Sequence, residues 1–89
     1  MTTNEGLLDE FCDALWLEDG LSRNTLESYR RDLRLFSAWL STERGKALLQ
    51  AQRMDLLGYL AFKFQRKARP RSAARLLSSL KRFYRFLLR

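Results

Sequence analysis

Histidine is missing from this 89-residue chain, and cysteine and proline occur once each. Without an imidazole there is no general base that titrates near neutrality at its ordinary pKa. The single thiol, Cys12, excludes an internal disulfide, and with no histidine beside it the familiar zinc ligand sets are absent. Phosphate-cradling glycine motifs are lacking, and the carboxylates show no sign of a paired acid–base site. The apolar runs are short, and none approaches the roughly 20 residues needed to cross a bilayer. The N-terminal MTTNEGLLDEF has acids where a secretory signal would have bases. These absences point to a cytoplasmic, soluble, non-catalytic chain with no cofactor and no metal.

Each end also lacks charge of one sign. Residues 1–20 hold six acids and no base, and residues 63–89 hold ten bases and no acid. The net charge of +7 therefore hides a strong basic field at one end of the molecule. Such a field favours a polyanion: nucleic acid first, an anionic membrane surface second. With 46% apolar residues, two Trp and six Phe, the chain can fill one small core, so residues 1–89 read as a single domain.

Strand-period alternation is absent, and apolar residues recur at helical spacing in four stretches, an all-α pattern. The first helix runs from Asn4 or Glu5 to about Glu18, with Leu8, Phe11, Cys12 and Leu15 as its seam. Its acids face solvent or a basic surface on a neighbouring copy. Asp19-Gly20 stops it, since glycine supplies the left-handed residue past a helix end. Ser22 is the expected N-cap of the second helix, with Asn24 as the alternative. That helix reaches about Ser41 and turns Leu26, Tyr29, Leu33, Phe36 and Leu40 inward. Its opposite face begins polar, with Asn24, Thr25, Ser28 and Arg31, and becomes apolar at Leu35 and Trp39. Residues 42–52 are irregular, with a short helical turn expected over 46–49. The third helix spans 53–66 with Leu56, Leu57, Leu60, Ala61 and Phe64 inward. Pro70 makes residues 67–70 a connector.

The fourth helix starts at Arg71 or Ser72 and is still in register at Arg89, as if a parent chain continued beyond it. Ala73, Leu77, Leu80, Tyr84 and Leu87 mark its core side, flanked by Leu76 and Phe83. Arg71, Arg75, Arg82, Arg85 and Arg89 lie opposite, within roughly 40° either side of one line at about 100° per residue. Guanidinium groups so aligned repel each other unless a polyanion lies alongside. Arginine forks match phosphate oxygens and the O6/N7 edge of guanine, and interspersed serines let a helix backbone approach a groove. The competing reading is a solvated basic face opposite a core seam. Tyr29, Tyr59 and Tyr84, on or near the seams, read as core aromatics.

Two segments then carry a resemblance. L-S-x-N-T-L-x-x-Y-R-R-D-L-x-x-F at residues 21–36 and R-S-x-A-R-x-L-S-x-L-x-x-F-Y at residues 71–84, preceded by A-L-W-L-E, occur in this order and spacing. Together they resemble the N-terminal core-binding domain of bacterial tyrosine recombinases of the XerC/XerD type, closer to the XerD branch. The likeness spans nearly the whole chain. It implies a four-helix, SAM-like core-binding domain that forms half of a clamp around duplex DNA, with helices two and four in the major groove.

Carried onto this sequence, the implied DNA face comprises Asn24, Thr25, Ser28 and Arg31 from helix two. From helix four it comprises Arg71, Ser72, Arg75, Ser79 and Arg82. The resemblance also implies partners: a recombination-site duplex and other recombinase subunits in a synaptic tetramer, with no membrane. It places the strand-cleaving tyrosine in a C-terminal catalytic domain that this chain lacks. Arg53 departs from the pattern, standing where a capping Thr, Ser or Asp is expected. The alternative is a helical protein–protein interaction module using the basic stripe and a Leu35/Trp39 patch.

Overall fold

A computed structural model describes residues 3–66 and 69–88. They form α1 (Asn4–Asp19), α2 (Arg23–Arg44), a single 3-10 turn (Leu48–Gln50), α3 (Arg53–Gln65) and α4 (Pro70–Leu87), with no strand among the described residues. The all-α, four-helix expectation holds.

Local chemistry sets the helix ends. Thr3 Oγ1 accepts from the Gly6 N–H at 2.9 Å and caps α1, and Gly20 at φ 61° closes it. Ser22 Oγ accepts from the Thr25 N–H at 3.2 Å, so Ser22 and not Asn24 caps α2. This helix continues past the expected end at Ser41. The true stop is Gly45, at φ 62°, whose N–H bonds the Ser41 carbonyl at 3.1 Å. The 3-10 turn lies slightly later than expected, tied to α1 where the Leu48 N–H donates to Asn4 Oδ1 at 3.1 Å. Helix α3 starts at Arg53 with Gln52 as N-cap residue, and α4 starts at Pro70, a first-turn position that needs no N–H donor. Residues 67–68 of the connector, and Arg89, lie outside the described residues.

Helix α2 packs against α1, α3 and α4 and is the spine of the bundle. Leu8, Phe11, Leu33, Phe36, Leu40, Leu80 and Phe83 are fully enclosed around it, and Phe11 meets Phe83 edge-on at 5.4 Å. Cys12 lies in this core, where burial pushes its thiol pKa up.

Two helices face differently from the expectation. In α3, Leu57 and Phe64 are more than half exposed and Ala61 is exposed, while Tyr59 and Asp55 are buried. Tyr59 is drawn in by an aromatic cluster, with Phe36 at 5.1 Å, Trp39 at 5.3 Å and Phe62 at 6.1 Å. Asp55 is tolerated inside because it accepts from Lys46 Nζ and from the Gln52 N–H, each at 2.9 Å. Burial acts to raise its pKa, but these donors, with Arg44 beyond them, bring it below the ordinary carboxylate value.

In α4 the buried line is Leu76, Ser79, Leu80 and Phe83. Relative to the expected seam this is a rotation of about 70° toward the arginine row, at about 100° per residue. Leu77 and Tyr84 are left flanking an open apolar groove with Leu57 and Leu60 of α3. That rotation decides what the arginines can reach.

Candidate nucleic-acid interface

Helices α2 and α4 lie side by side, joined by polar links one turn apart on each. The Tyr29 and Ser78 hydroxyls are 3.0 Å apart. Arg75 donates from Nε to Asp32 Oδ2 at 2.9 Å and from Nη2 to Asp32 Oδ1 at 3.0 Å. That pairing raises the Arg75 pKa above its ordinary value. Farther along, Arg82 Nη1 donates to Asp19 Oδ2 at the end of α1, at 2.6 Å. Arg75 and Arg82 of the arginine row therefore lie along seams with the neighbouring helices. Arg71 and Arg85 are exposed and make no ion pair among the described residues.

The expected DNA face is only partly brought together. Asn24 and Arg31 of α2 are exposed, with Thr25 and Ser28 half-buried beside them. Thr25 Oγ1 lies 2.9 Å from the Ser22 hydroxyl. Arg71 and Ser72 are exposed on the first turn of α4, and Arg75 sits between the two helices. Ser79 must be corrected. It has no solvent exposure, and its Oγ donates to the Leu76 carbonyl at 2.8 Å. A hydroxyl satisfied by its own helix lets serine serve as a small core residue, and it has no surface to offer a ligand.

Where α2, α3 and α4 meet near the start of α4, the polar surface folds into a cleft of about 400 Å³. Arg31, Lys63, Arg69, Ser72 and Arg75 contribute to its walls, and Asp32 and Tyr59 also line it. Sequence reasoning missed Asp32, Lys63 and Arg69. Asp32 gave a usable signal as the lone acid amid Arg30, Arg31 and Arg34, whereas Lys63 joins only because α3 folds back onto α2.

Three acids of α1, Glu5, Asp9 and Asp19, are engaged within the chain. Glu5 accepts from Arg34 through both oxygens at 2.9 Å, and Arg30 lies 2.7 Å from Asp9. The Leu35/Trp39 patch is not formed as an exposed pair: Leu35 is exposed, but Trp39 is half-buried among Phe36, Tyr59 and Phe62. Among the described residues no helix is long and apolar enough to cross a membrane, and no acidic, cysteine or histidine cluster could hold a metal.

Comparison with known proteins gives this bundle a family. The family model described as phage integrase, N-terminal SAM-like domain, matches residues 8–89. The chain belongs to that family. This SAM-like domain is 52% identical over 83 residues to a tyrosine recombinase XerD of Pseudomonas putida, covering 93% of this chain and 28% of that protein. It is 48% identical over 88 residues to the XerD of Pseudomonas aeruginosa, covering 99% and 29%. To the XerD of Proteus mirabilis it is 43% identical over 86 residues, covering 97% and 27%. The SAM-like domain thus spans under a third of the length of the curated relatives it matches. No solved structure matches it.

Proposed function

We propose that this chain is the DNA-binding arm of a XerD-like site-specific tyrosine recombinase. In the cytoplasm it would lay α2 and α4 against the major groove of a recombination-site duplex. The observation that carries this reading is the linking of α2 and α4 through Tyr29–Ser78 and Asp32–Arg75, which brings Arg31 of α2 beside Ser72 and Arg75 of α4 along one cleft. An α-helix fits the major groove, and arginine serves both phosphates and guanine edges there.

In the proposed assignment Arg31 and Arg71 meet backbone phosphates, because they are exposed and unpaired among the described residues. Asn24 and Ser28 reach base edges or sugar–phosphate oxygens, with Thr25 held at the helix entry. Arg75 and Arg82 approach DNA through the N–H groups that Asp32 and Asp19 leave unused. Strand cleavage through a phosphotyrosine belongs to a C-terminal catalytic domain of the parent enzyme, which acts in chromosome-dimer resolution as a synaptic tetramer. The N-terminal SAM-like family match and the XerD relatives support this assignment.

Titration of a recombination-site duplex and an unrelated duplex at two salt concentrations tests it. Binding should fall steeply with salt, reflecting counterion release at several phosphates. Arg71→Ala should weaken both duplexes alike and reduce the logarithmic salt slope by about one. A flat salt response, or unchanged affinity on loss of both Arg71 and Arg75, would remove the groove assignment.

A further inference from the structure

The cleft beside the start of α4 holds an excess of positive charge that reaches beyond α2 and α4 to α3. Four cations, Arg31, Lys63, Arg69 and Arg75, line it against one carboxylate, Asp32. Both oxygens of that carboxylate already accept from Arg75. Arg31, Lys63 and Arg69 make no ion pair among the described residues.

A second, independent observation comes from α3. Tyr59 is 2% exposed and lines the cleft, and its hydroxyl, engaged by no hydrogen bond among the described residues, is not sealed in the core but opens onto the cleft. A hydroxyl so placed takes its partner from whatever occupies the cleft, water or a ligand. Burial, and then the Asp32 charge, push its pKa up to about 12, so the hydroxyl keeps its proton and remains a donor. Lys63 Nζ stands 6.0 Å from the Tyr59 ring centroid, on the same wall. Across the cleft, α4 opens with Pro70 and has no side-chain cap, which leaves the Ser72 hydroxyl and first-turn amides available. Unpaired cations, a protonated phenol and a helix start form a donor set whose one carboxylate, Asp32, is already engaged by Arg75. A tetrahedral oxyanion fits that chemistry.

We propose that this cleft seats one backbone phosphodiester of the bound duplex, with Tyr59 and Lys63 of α3 donating to it opposite Ser72 and Arg69. This extends the DNA contact to a third helix and rests on the duplex reading above. Lys63 supplies charge, and Tyr59 supplies a directed hydrogen bond from a side chain fixed by the aromatic cluster. Neither reads a base, so the contact fixes register without discriminating sequence.

The test is fluorescence anisotropy of the chain with a recombination-site and an unrelated duplex across a salt series, for the parent, Lys63→Gln, Lys63→Arg and Tyr59→Phe. Lys63→Gln should weaken both duplexes equally and lower the logarithmic salt slope by about one, with Lys63→Arg restoring it. Tyr59→Phe should weaken both several-fold while thermal unfolding shows no loss of stability, because no described residue hydrogen-bonds the hydroxyl. If the parent binds with a steep salt slope and all the variants match it, the cleft is not a DNA subsite, though the duplex reading stands. If the parent shows no salt-dependent duplex binding, both fail. Inorganic phosphate supplies the remaining arm, monitored by NMR at Tyr59 and Ser72. Shifts there, with unchanged duplex affinity in the variants, would overturn the proposal in favour of a free-anion site.

Discussion

Asp32 of α2 accepts both hydrogen bonds of its pair with Arg75 of α4 while being the more deeply buried partner, its side chain 8% exposed against 40% for the arginine. The carboxylate is fixed by packing and fixes the guanidinium in turn. Arg75 therefore presents its remaining N–H groups in one orientation, the condition for a fork that reads an edge and does not only attract charge.

Asp32→Asn should separate those two roles. The variant loses a charge-assisted pair, a cost of about 1 kcal/mol given the exposure of the arginine. It also gains net positive charge beside the proposed DNA face. Affinity for an unrelated duplex should rise slightly, and the ratio of site to unrelated affinity should fall. Paired binding isotherms at one salt concentration measure both. An unchanged ratio would mean that the orientation of Arg75 carries no sequence information.

Ser79 offers a sharper contrast between surface and core. Because its hydroxyl bonds the Leu76 carbonyl inside the bundle, Ser79→Ala should leave duplex affinity unaltered. Ser79→Leu, which adds volume at a fully enclosed position, should cost about 1–3 kcal/mol of stability. Denaturant unfolding and duplex titration of the two variants check this. Loss of DNA affinity in a fully folded Ser79→Ala would return the residue to the interface.

Stability should decline at both ends of the pH scale through two groups of α3. Asp55 has a folded pKa below its unfolded value, so its contribution is present above about pH 4 and is lost as pH falls through the folded pKa. Tyr59 has the opposite sign. Its folded pKa of about 12 exceeds the ordinary 10, so its contribution is complete below about pH 10 and disappears between about 10 and 12. A shift of that size corresponds to at most about 3 kcal/mol. Urea midpoints followed with pH should show both limbs. Tyr59→Phe should flatten the alkaline limb, and Asp55→Asn the acid one.

Sequence-level signals of two kinds fared differently. End signals are local chemistry, and Ser22, Gly20 and the second-helix seam from Tyr29 to Leu40 were legible because each acts through its own neighbours. Azimuth is a tertiary property. Ser79 looks outward-facing by polarity and Leu77 inward-facing by hydropathy, but a serine that bonds its own helix can pack more closely against α2 than a leucine could. The same holds in α3, where the cluster around Tyr59 outweighs Leu57 and Phe64, and where Asp55 enters the core only because Lys46 arrives from another segment. For the proposed DNA face, Asn24 and Arg31 of α2 and Arg71 and Ser72 of α4 were legible as exposed polar positions. The cleft was not, since Lys63 and Tyr59 come to α4 through the path of the chain and no spacing records that path.

Tyr29–Ser78 and Asp32–Arg75 have one more consequence, for the mechanics of the proposed duplex complex. Two polar struts one turn apart hold α2 and α4 at a set crossing, above a core in which Leu33 and Phe83 leave no slack. A pair of helices braced in this way behaves as a stiff template. When the width of a groove does not match their spacing, the duplex must bend or widen, at an elastic cost that depends on its base steps. Preferences would then arise at base pairs that no side chain touches, and the stiffness of the DNA itself would become part of the address.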